Sequence, residues 1–120
     1  MRVFKGNWFS RFAEKEAISD NELRGMVDQL EAGQADANLG GGVFKVRVAR
    51  PGEGKSGGYR MIVFFRSGDK TFYQFGFAKS KRGNISEKES REYKKLAKKY
   101  LALTDEQLKI VLKAGEFVEI

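Results

Sequence analysis

The residues best suited to chemistry in this sequence are cationic, and they are concentrated in its middle third. Ten lysine and arginine side chains fall between Lys45 and Arg82, against two acidic ones, whereas the segments on either side are close to neutral. Such a concentration favours a polyanionic partner: a nucleic acid, an anionic membrane surface or an acidic protein. The chain has no histidine and no cysteine. A catalytic centre would therefore move protons with Lys, Glu, Asp or Tyr, and disulfides and thiolate metal sites are excluded.

One stretch of this basic region, ARPGEGKSGGYR, contains a loose match to a nucleotide-binding P-loop at residues 49–56. Such a loop binds phosphate because a helix N-terminus follows it immediately. Here the lysine and serine of the motif precede two glycines, each costing a helix about 1 kcal/mol relative to alanine. The next residues, YRMIVFF, have the composition of a strand. The match is therefore accidental, and we predict a hairpin loop that carries Arg50 and Lys55.

The strands on either side of this loop also carry cations. In VFKVRVAR the apolar residues alternate with Lys45 and Arg47, which places these two cations on one face of the strand. Pairing across the hairpin brings one of them close to Arg60, and the adjacent sequence offers no acidic partner. Like charges held this close favour a bridging anion, which predicts a phosphate-binding surface. The alternative is that the cations keep an exposed sheet face soluble and cover its apolar neighbours.

The remaining sequence predicts the scaffold for this surface. A short strand at Val3-Phe4 precedes two helices, and two further helices end the chain, followed by a short edge strand in EFVEI. Asn7 is a candidate N-cap, and capping boxes are expected at Ser19/Glu22, Ser86/Glu89 and Thr104/Gln107. YRMIVFF and TFYQFGFAK are apolar on both faces, which is typical of central strands. The order β-α-α-β-β-β-α-α predicts one α+β domain over residues 1–120, with helices packed on an antiparallel sheet.

The segments GGGVFKVRVARPGEGKSGGYRMIVFF and FGFAKSKRGNIS resemble the RelE/HigB superfamily of bacterial toxin–antitoxin ribonuclease toxins, especially its HigB-like branch. The resemblance covers most of the chain, and residues 104–120 are expected to be a C-terminal extension of the common core. It implies a RelE-like fold and a metal-independent endoribonuclease (an mRNA interferase) that needs no cofactor. Members cleave mRNA, typically in the ribosomal A site, through attack of a ribose 2′-hydroxyl on the adjacent phosphate. The resemblance also implies a cytoplasmic protein with no membrane partner, neutralised by an antitoxin that is commonly a helix-turn-helix repressor.

The resemblance assigns roles to particular residues. Lys45 and Arg47 match the two basic positions of the second strand, and Arg60 matches the arginine of a Gly-Tyr-Arg motif. Ser80 holds the position of a phosphate-binding arginine, so Lys79, Lys81 or Arg82 must replace it. Where some members have a tyrosine after the last strand, this chain reads Asn84-Ile85-Ser86. Tyr59 is then the nearest tyrosine within the motifs, and Tyr93 is expected to pack in the core.

These assignments combine with elementary chemistry into one hypothesis. Transfer of a phosphoryl group to a 2′-hydroxyl needs a proton acceptor and cations that stabilise the transition state. Clustering of cations lowers the pKa of a lysine side chain, which makes it a usable base near neutrality. We therefore expect Lys45 to be the base, with Lys55 the other candidate, and Arg47 and Arg60 to stabilise the transition state. The remaining cations are expected to hold flanking RNA: Arg50, Lys55, Lys79, Lys81 and Arg82.

Three other functions are compatible with parts of the sequence. A ParE-like toxin would inhibit DNA gyrase by binding, but it would not need the three cations of a phosphate pocket. A non-catalytic RNA-binding domain would use the basic hairpin and exposed aromatic residues for stacking. Against this, five phenylalanines lie within strands and are expected to build the core: Phe64, Phe65, Phe72, Phe75 and Phe77. An inactive remnant would keep only an antitoxin-binding surface.

Overall fold

The computed structural model describes residues 1–50 and 54–120, and the side chains of residues 50 and 54–57 lie outside this description. The elements follow the order β1 (Arg2–Gly6), α1 (Asn7–Lys15), α2 (Asp20–Glu31), β2 (Ala37–Gly40), β3 (Val43–Arg50), β4 (Gly54–Arg66), β5 (Lys70–Ala78), α3 (Glu87–Leu101), α4 (Asp105–Lys113) and β6 (Phe117–Glu119). The expected α+β class is therefore confirmed. None of the helices in the described ranges is long and apolar enough to cross a membrane.

The six strands form one mixed sheet in the order β2-β3-β4-β5-β1-β6. The expected antiparallel meander is present as β3-β4-β5, and β6 is the expected edge strand. Two expectations were wrong: β2 forms where a loop was predicted, and β1 pairs with β5 in parallel, so the sheet is not purely antiparallel. Packing explains the second difference, because Phe4 is fully buried in β1 and stacks on Phe72 of β5 at 4.8 Å between ring centroids.

Helices α1 and α2 cover one face of the sheet. The apolar stripe of α2 lies against alternate residues of the meander, including Val46, Met61 and Val63. Trp8 was expected on the buried face of α1 but is 43% exposed, since it lies at the end of the sheet beside Phe75 rather than over its centre. The centre of this face is therefore buried, and Trp8 lies at its edge.

Helices α3 and α4 cover part of the opposite face. Phe64 and Phe72 are fully buried there against Leu101 and Leu108. The C-terminal end of α3 is held by Lys70, whose Nζ atom donates to the carbonyl oxygens of Leu101 and Leu103 at 3.5 and 3.2 Å. Because a helix C-terminus leaves its last carbonyls unpaired and carries negative partial charge, this buried lysine stabilises α3 structurally.

Local sequence signals begin three helices at the predicted residues, although the capping box expected at Ser19/Glu22 is only half formed. Ser19 accepts a hydrogen bond from the backbone N–H of Glu22, and complete capping boxes begin α3 at Ser86 and α4 at Thr104. The expected N-cap Asn7 is instead the first residue of α1, and Gly6 precedes it without any side-chain cap. The entry of the chain from β1 into α1 is thus set by packing rather than by a capping hydrogen bond.

Candidate functional site

The three cations singled out in the sequence lie on one face of neighbouring strands. Arg47 on β3 is directly opposite Arg60 on β4, and Lys45 pairs with Ile62 two residues along. Side chains of directly opposed residues are about 5 Å apart at their Cβ atoms. We call Lys45, Arg47 and Arg60 the cationic face. The sheet register thus brings together all three residues that were expected to be catalytic.

The cationic face continues the surface that α3 and α4 cover further along the strands. Val43, Ile62 and Phe64 lie on the same side of the sheet and pack against those helices. Arg60 is only 3% exposed, and its Nη1 atom donates to the carbonyl oxygen of Tyr59 at 3.4 Å. A guanidinium this buried keeps a fixed orientation.

A carboxylate joins the cationic face from the residue before β2. The Oδ1 atom of Asp36 accepts from Nε of Arg47 at 2.6 Å, and its Oδ2 atom lies 3.8 Å from Nζ of Lys45. The expectation that these cations have no acidic neighbour was therefore wrong. The sequence offered one signal, since Asp36 is the only acidic residue between Glu31 and Glu53. The pairing of β2 with β3 brings it into contact, and β2 itself was not predicted.

The segment after β5 approaches the cationic face from the other side. Nζ of Lys45 donates to Oδ1 of Asn84 at 3.5 Å, and Nε of Arg82 donates to the carbonyl oxygen of the same asparagine at 2.8 Å. The guanidinium of Arg82 also lies over the rings of Phe75 and Phe77, at 5.8 and 5.6 Å from their centroids. Because Phe77 is directly opposite Arg60 in the sheet, Arg82 and Asn84 extend the cationic face across β5.

Arg82 is also bound by the first turn of α3. Its Nη2 atom pairs with the carboxylate of Glu89, which in addition accepts from the backbone N–H of Ser86. Hydrogen bonding from Arg82, and then from Ser86, lowers the pKa of Glu89 below its ordinary value. The carboxylate of Glu89 therefore has two roles: it completes the capping box of α3, and it holds Arg82 in place.

The other expected RNA-binding cations are not gathered on this face. Lys79 and Lys81 are exposed in the turn after β5, and Lys81 lines a separate cavity beside α1. The side chains of Arg50 and Lys55 lie outside the part of the chain that the structure describes. Gly54 begins β4 rather than a helix, which confirms that the apparent P-loop is accidental.

Neither tyrosine considered in the sequence is placed as a proton acceptor for this face. Tyr59 lies on the opposite side of the sheet, where its hydroxyl donates to Oε2 of Glu16 at 2.5 Å. Tyr93 packs beside Phe64 and Phe75 as expected, and burial raises its pKa to about 12. A phenol with this pKa stays protonated near neutral pH and therefore cannot act as the general base. Within residues 1–50 and 54–120, no group of three or more acidic side chains is arranged to hold a metal ion.

Comparison with known proteins gives one match. Neither a curated protein nor a solved structure is significantly similar to the chain. A family model described as the RelE toxin of the RelE / RelB toxin-antitoxin system matches residues 1–120. The match spans every element described above, including α4 and β6, and the family implies a cognate antitoxin. The chain therefore belongs to the RelE family of toxins from toxin–antitoxin systems.

Proposed function

We propose that this chain is a toxin that cleaves mRNA without a metal ion, acting on the ribosome in the cytoplasm. Toxins of its family are typically endoribonucleases, and the cationic face supports the same activity here. The observation that carries the proposal is the direct opposition of Arg47 and Arg60, with Lys45 beside them. A phosphate group fits such a cluster, since guanidinium groups bind its oxygens in a bidentate manner.

The proposed reaction follows from which of these groups can lose a proton. Guanidinium groups stay charged, whereas a lysine side chain can become a neutral amine. Lys45 accordingly accepts the proton of a ribose 2′-hydroxyl as its oxygen attacks the adjacent phosphorus. The bond from phosphorus to the 5′ oxygen breaks, and that oxygen takes a proton from solvent. Arg47 and Arg60 stabilise the negative charge that develops on the phosphate oxygens.

The remaining parts of the site hold the RNA and the partner. Arg82 binds the phosphate next to the cut, and the exposed Lys79 and Lys81 attract the strand on either side; Arg50 and Lys55 are assigned the same role from the sequence. The ribosomal A site supplies the geometry of the mRNA, as in the HigB-like branch that the sequence resembles. The cognate antitoxin, which we infer to be a helix-turn-helix repressor, neutralises this basic region through acidic or amphipathic segments.

Induced expression followed by primer extension on a reporter mRNA tests the proposal. Wild-type toxin should produce codon-phased cuts that leave a 2′,3′-cyclic phosphate and a 5′-hydroxyl. Lys45→Ala, Arg47→Ala and Arg60→Ala should each reduce cleavage about 100- to 1,000-fold, the usual cost of losing one group that stabilises a transition state. Matched controls are Arg24→Ala on α2 and Lys113→Ala on α4, which remove exposed cations that do not belong to the cationic face and should cleave normally.

Because Arg60 is buried, Arg60→Ala also needs a test of folding by far-UV circular dichroism and thermal unfolding. Arg47→Ala, whose side chain is 44% exposed, should stay folded, with a thermal midpoint about 4 °C lower because its ion pair with Asp36 is lost. Full cleavage by Lys45→Ala or Arg47→Ala would refute the assigned site. Growth arrest with intact mRNA and inhibited DNA gyrase would favour the ParE-like function instead. RNA binding with a steep salt dependence but without any cleavage would favour a non-catalytic domain.

A further inference from the structure

A cavity lies beside the cationic face, between α1 and the end of β5. Its volume is about 420 Å³, within the range of sites that bind small organic groups. Trp8 and Phe12 from α1 and Phe75 from β5 line it, and Trp8 is 43% exposed. The indole ring lies 4.4 Å from Phe75 and 5.5 Å from Phe12, measured between ring centroids. The cavity therefore offers a fixed aromatic surface that is open to solvent.

The backbone at Gly76 allows these rings to come together. A Cβ atom at this position would lie 2.4 Å from the ring of Phe12, so only glycine lets that ring lie against β5. Parallel pairing of β1 with β5 ends at Tyr73, before this residue. The cavity therefore forms beyond the end of the β1–β5 pairing, where α1 rather than β1 lies next to β5.

Cations surround the aromatic surface. Arg11 and Lys15 project from α1, and Lys81 and Arg82 come from the turn after β5. One carboxylate, Glu16, lines the same cavity, and it accepts the hydrogen bond from Tyr59. Aromatic rings with a cationic rim match the chemistry of a nucleotide, because the base stacks on the rings and its phosphates meet the cations.

The cavity and the cationic face are contiguous. Arg82 lines the cavity and also lies over Phe77, which is directly opposite Arg60. A polymer whose phosphate lies at Arg60 therefore reaches the cavity by crossing a single strand. This continuity favours the RNA strand as the occupant over a separate peptide. We propose that the cavity binds one unpaired nucleobase of the RNA, next to the phosphate held at the cationic face. This inference rests on the proposed function.

The test uses Trp8, which is the only tryptophan in the chain and so reports on the cavity directly. The probe is a short single-stranded RNA with 2′-O-methyl riboses, which cannot be cleaved by 2′-hydroxyl attack. Binding should quench the emission of Trp8. Removing the base at one position of the RNA should weaken binding about tenfold and abolish the quenching, within the range measured for stacking of one base. Removing bases elsewhere should have little effect.

Variants separate this inference from the proposed function. Trp8→Ala should bind the labelled RNA about tenfold more weakly and lose its sensitivity to the abasic position, whereas Trp8→Phe should keep most of both. Ile110→Ala, which removes an exposed apolar side chain from α4, is the matched control and should bind as wild type. Arg47→Ala should weaken binding of intact and abasic RNA alike, because it removes a phosphate contact.

Two results would overturn the nucleobase assignment. The first is equal affinity for intact and abasic RNA with unchanged Trp8 emission, which would mean that only phosphates are bound. The second is quenching of Trp8 by an acidic amphipathic peptide but not by RNA, which would make the cavity a docking site for protein. Either result can occur while mRNA cleavage still depends on Lys45 and Arg47, so the proposed function would survive.

Discussion

Replacing Asp36 by asparagine tests how the charges of the site are balanced. The carboxylate binds Arg47 at 2.6 Å and lies 3.8 Å from Lys45, with side chains that are 17%, 44% and 16% exposed for Asp36, Arg47 and Lys45. A phosphate on the cationic face would compete with this carboxylate for the same cations. Asp36→Asn should therefore lower the stability of the free protein and raise its affinity for RNA.

The size of both effects follows from the partial exposure of the pair. A hydrogen bond to a charged group contributes about 1.5–3 kcal/mol when protected, and less when one partner is as exposed as Arg47. We expect a loss of about 1 kcal/mol in the free energy of unfolding, or about 4 °C in the thermal midpoint for a domain of this size. RNA no longer has to displace the carboxylate, so the same energy of about 1 kcal/mol should tighten RNA binding about fivefold, since a difference of about 1.4 kcal/mol corresponds to a tenfold change in affinity.

The assays are thermal unfolding without ligand and fluorescence anisotropy with a non-cleavable RNA at fixed salt. Glu106→Gln on α4 is the matched control, because it removes one negative charge at a side chain that is 83% exposed and should change neither quantity much. Loss of cleavage in Asp36→Asn would refute this reasoning and make Asp36 itself the proton acceptor.

Other predictions concern the scaffold. Gly58→Ala should cost about 2 kcal/mol or more in urea denaturation, because its Cβ atom would lie 1.9 Å from a carbonyl oxygen of β3. Gly25→Ala, with nothing within 4 Å, should instead gain up to about 1 kcal/mol, and equal effects would contradict this contrast. Leu108→Ala should cost about 2–5 kcal/mol in the same assay, and a negligible cost would mean that α4 is dispensable. Because its pKa is lowered, Glu89 stabilises the fold above its ordinary pKa of 4.5, and this contribution is lost as the pH falls through the lowered pKa. Thermal midpoints should therefore fall less on acidification in Glu89→Gln than in wild type, and parallel pH profiles would contradict this.

Local signals in the sequence were sufficient for the helices and the meander. The capping boxes at Ser86 and Thr104 depend only on residues three positions apart, and the alternation in β3 placed Lys45 and Arg47 on one face. The register then brought Arg60 to them, because antiparallel strands joined by a short connection have few alternatives.

Contacts between distant segments could not be predicted from local sequence patterns. The parallel pairing of β1 with β5 joins Arg2 to Lys70, and no local pattern encodes it. Asp36 reaches the cationic face only because β2 pairs with β3. The apolar pattern of α1 assigned Trp8 to the core, since periodicity identifies a helical face but not where the sheet below it ends. The assigned roles of the site residues remain predictions.

The position of β1 between β5 and β6 has a consequence for biosynthesis. This strand is translated before both of its neighbours in the sheet, and its residue Phe4 pairs with Glu119. A nascent chain that has just completed β5 still lacks α3 and α4, so Phe64 and Phe72 are exposed to solvent at that stage. Late, long-range pairing of this kind slows folding and leaves apolar surface open to aggregation. Newly made chains should therefore need protection by chaperones until β6 has paired with β1.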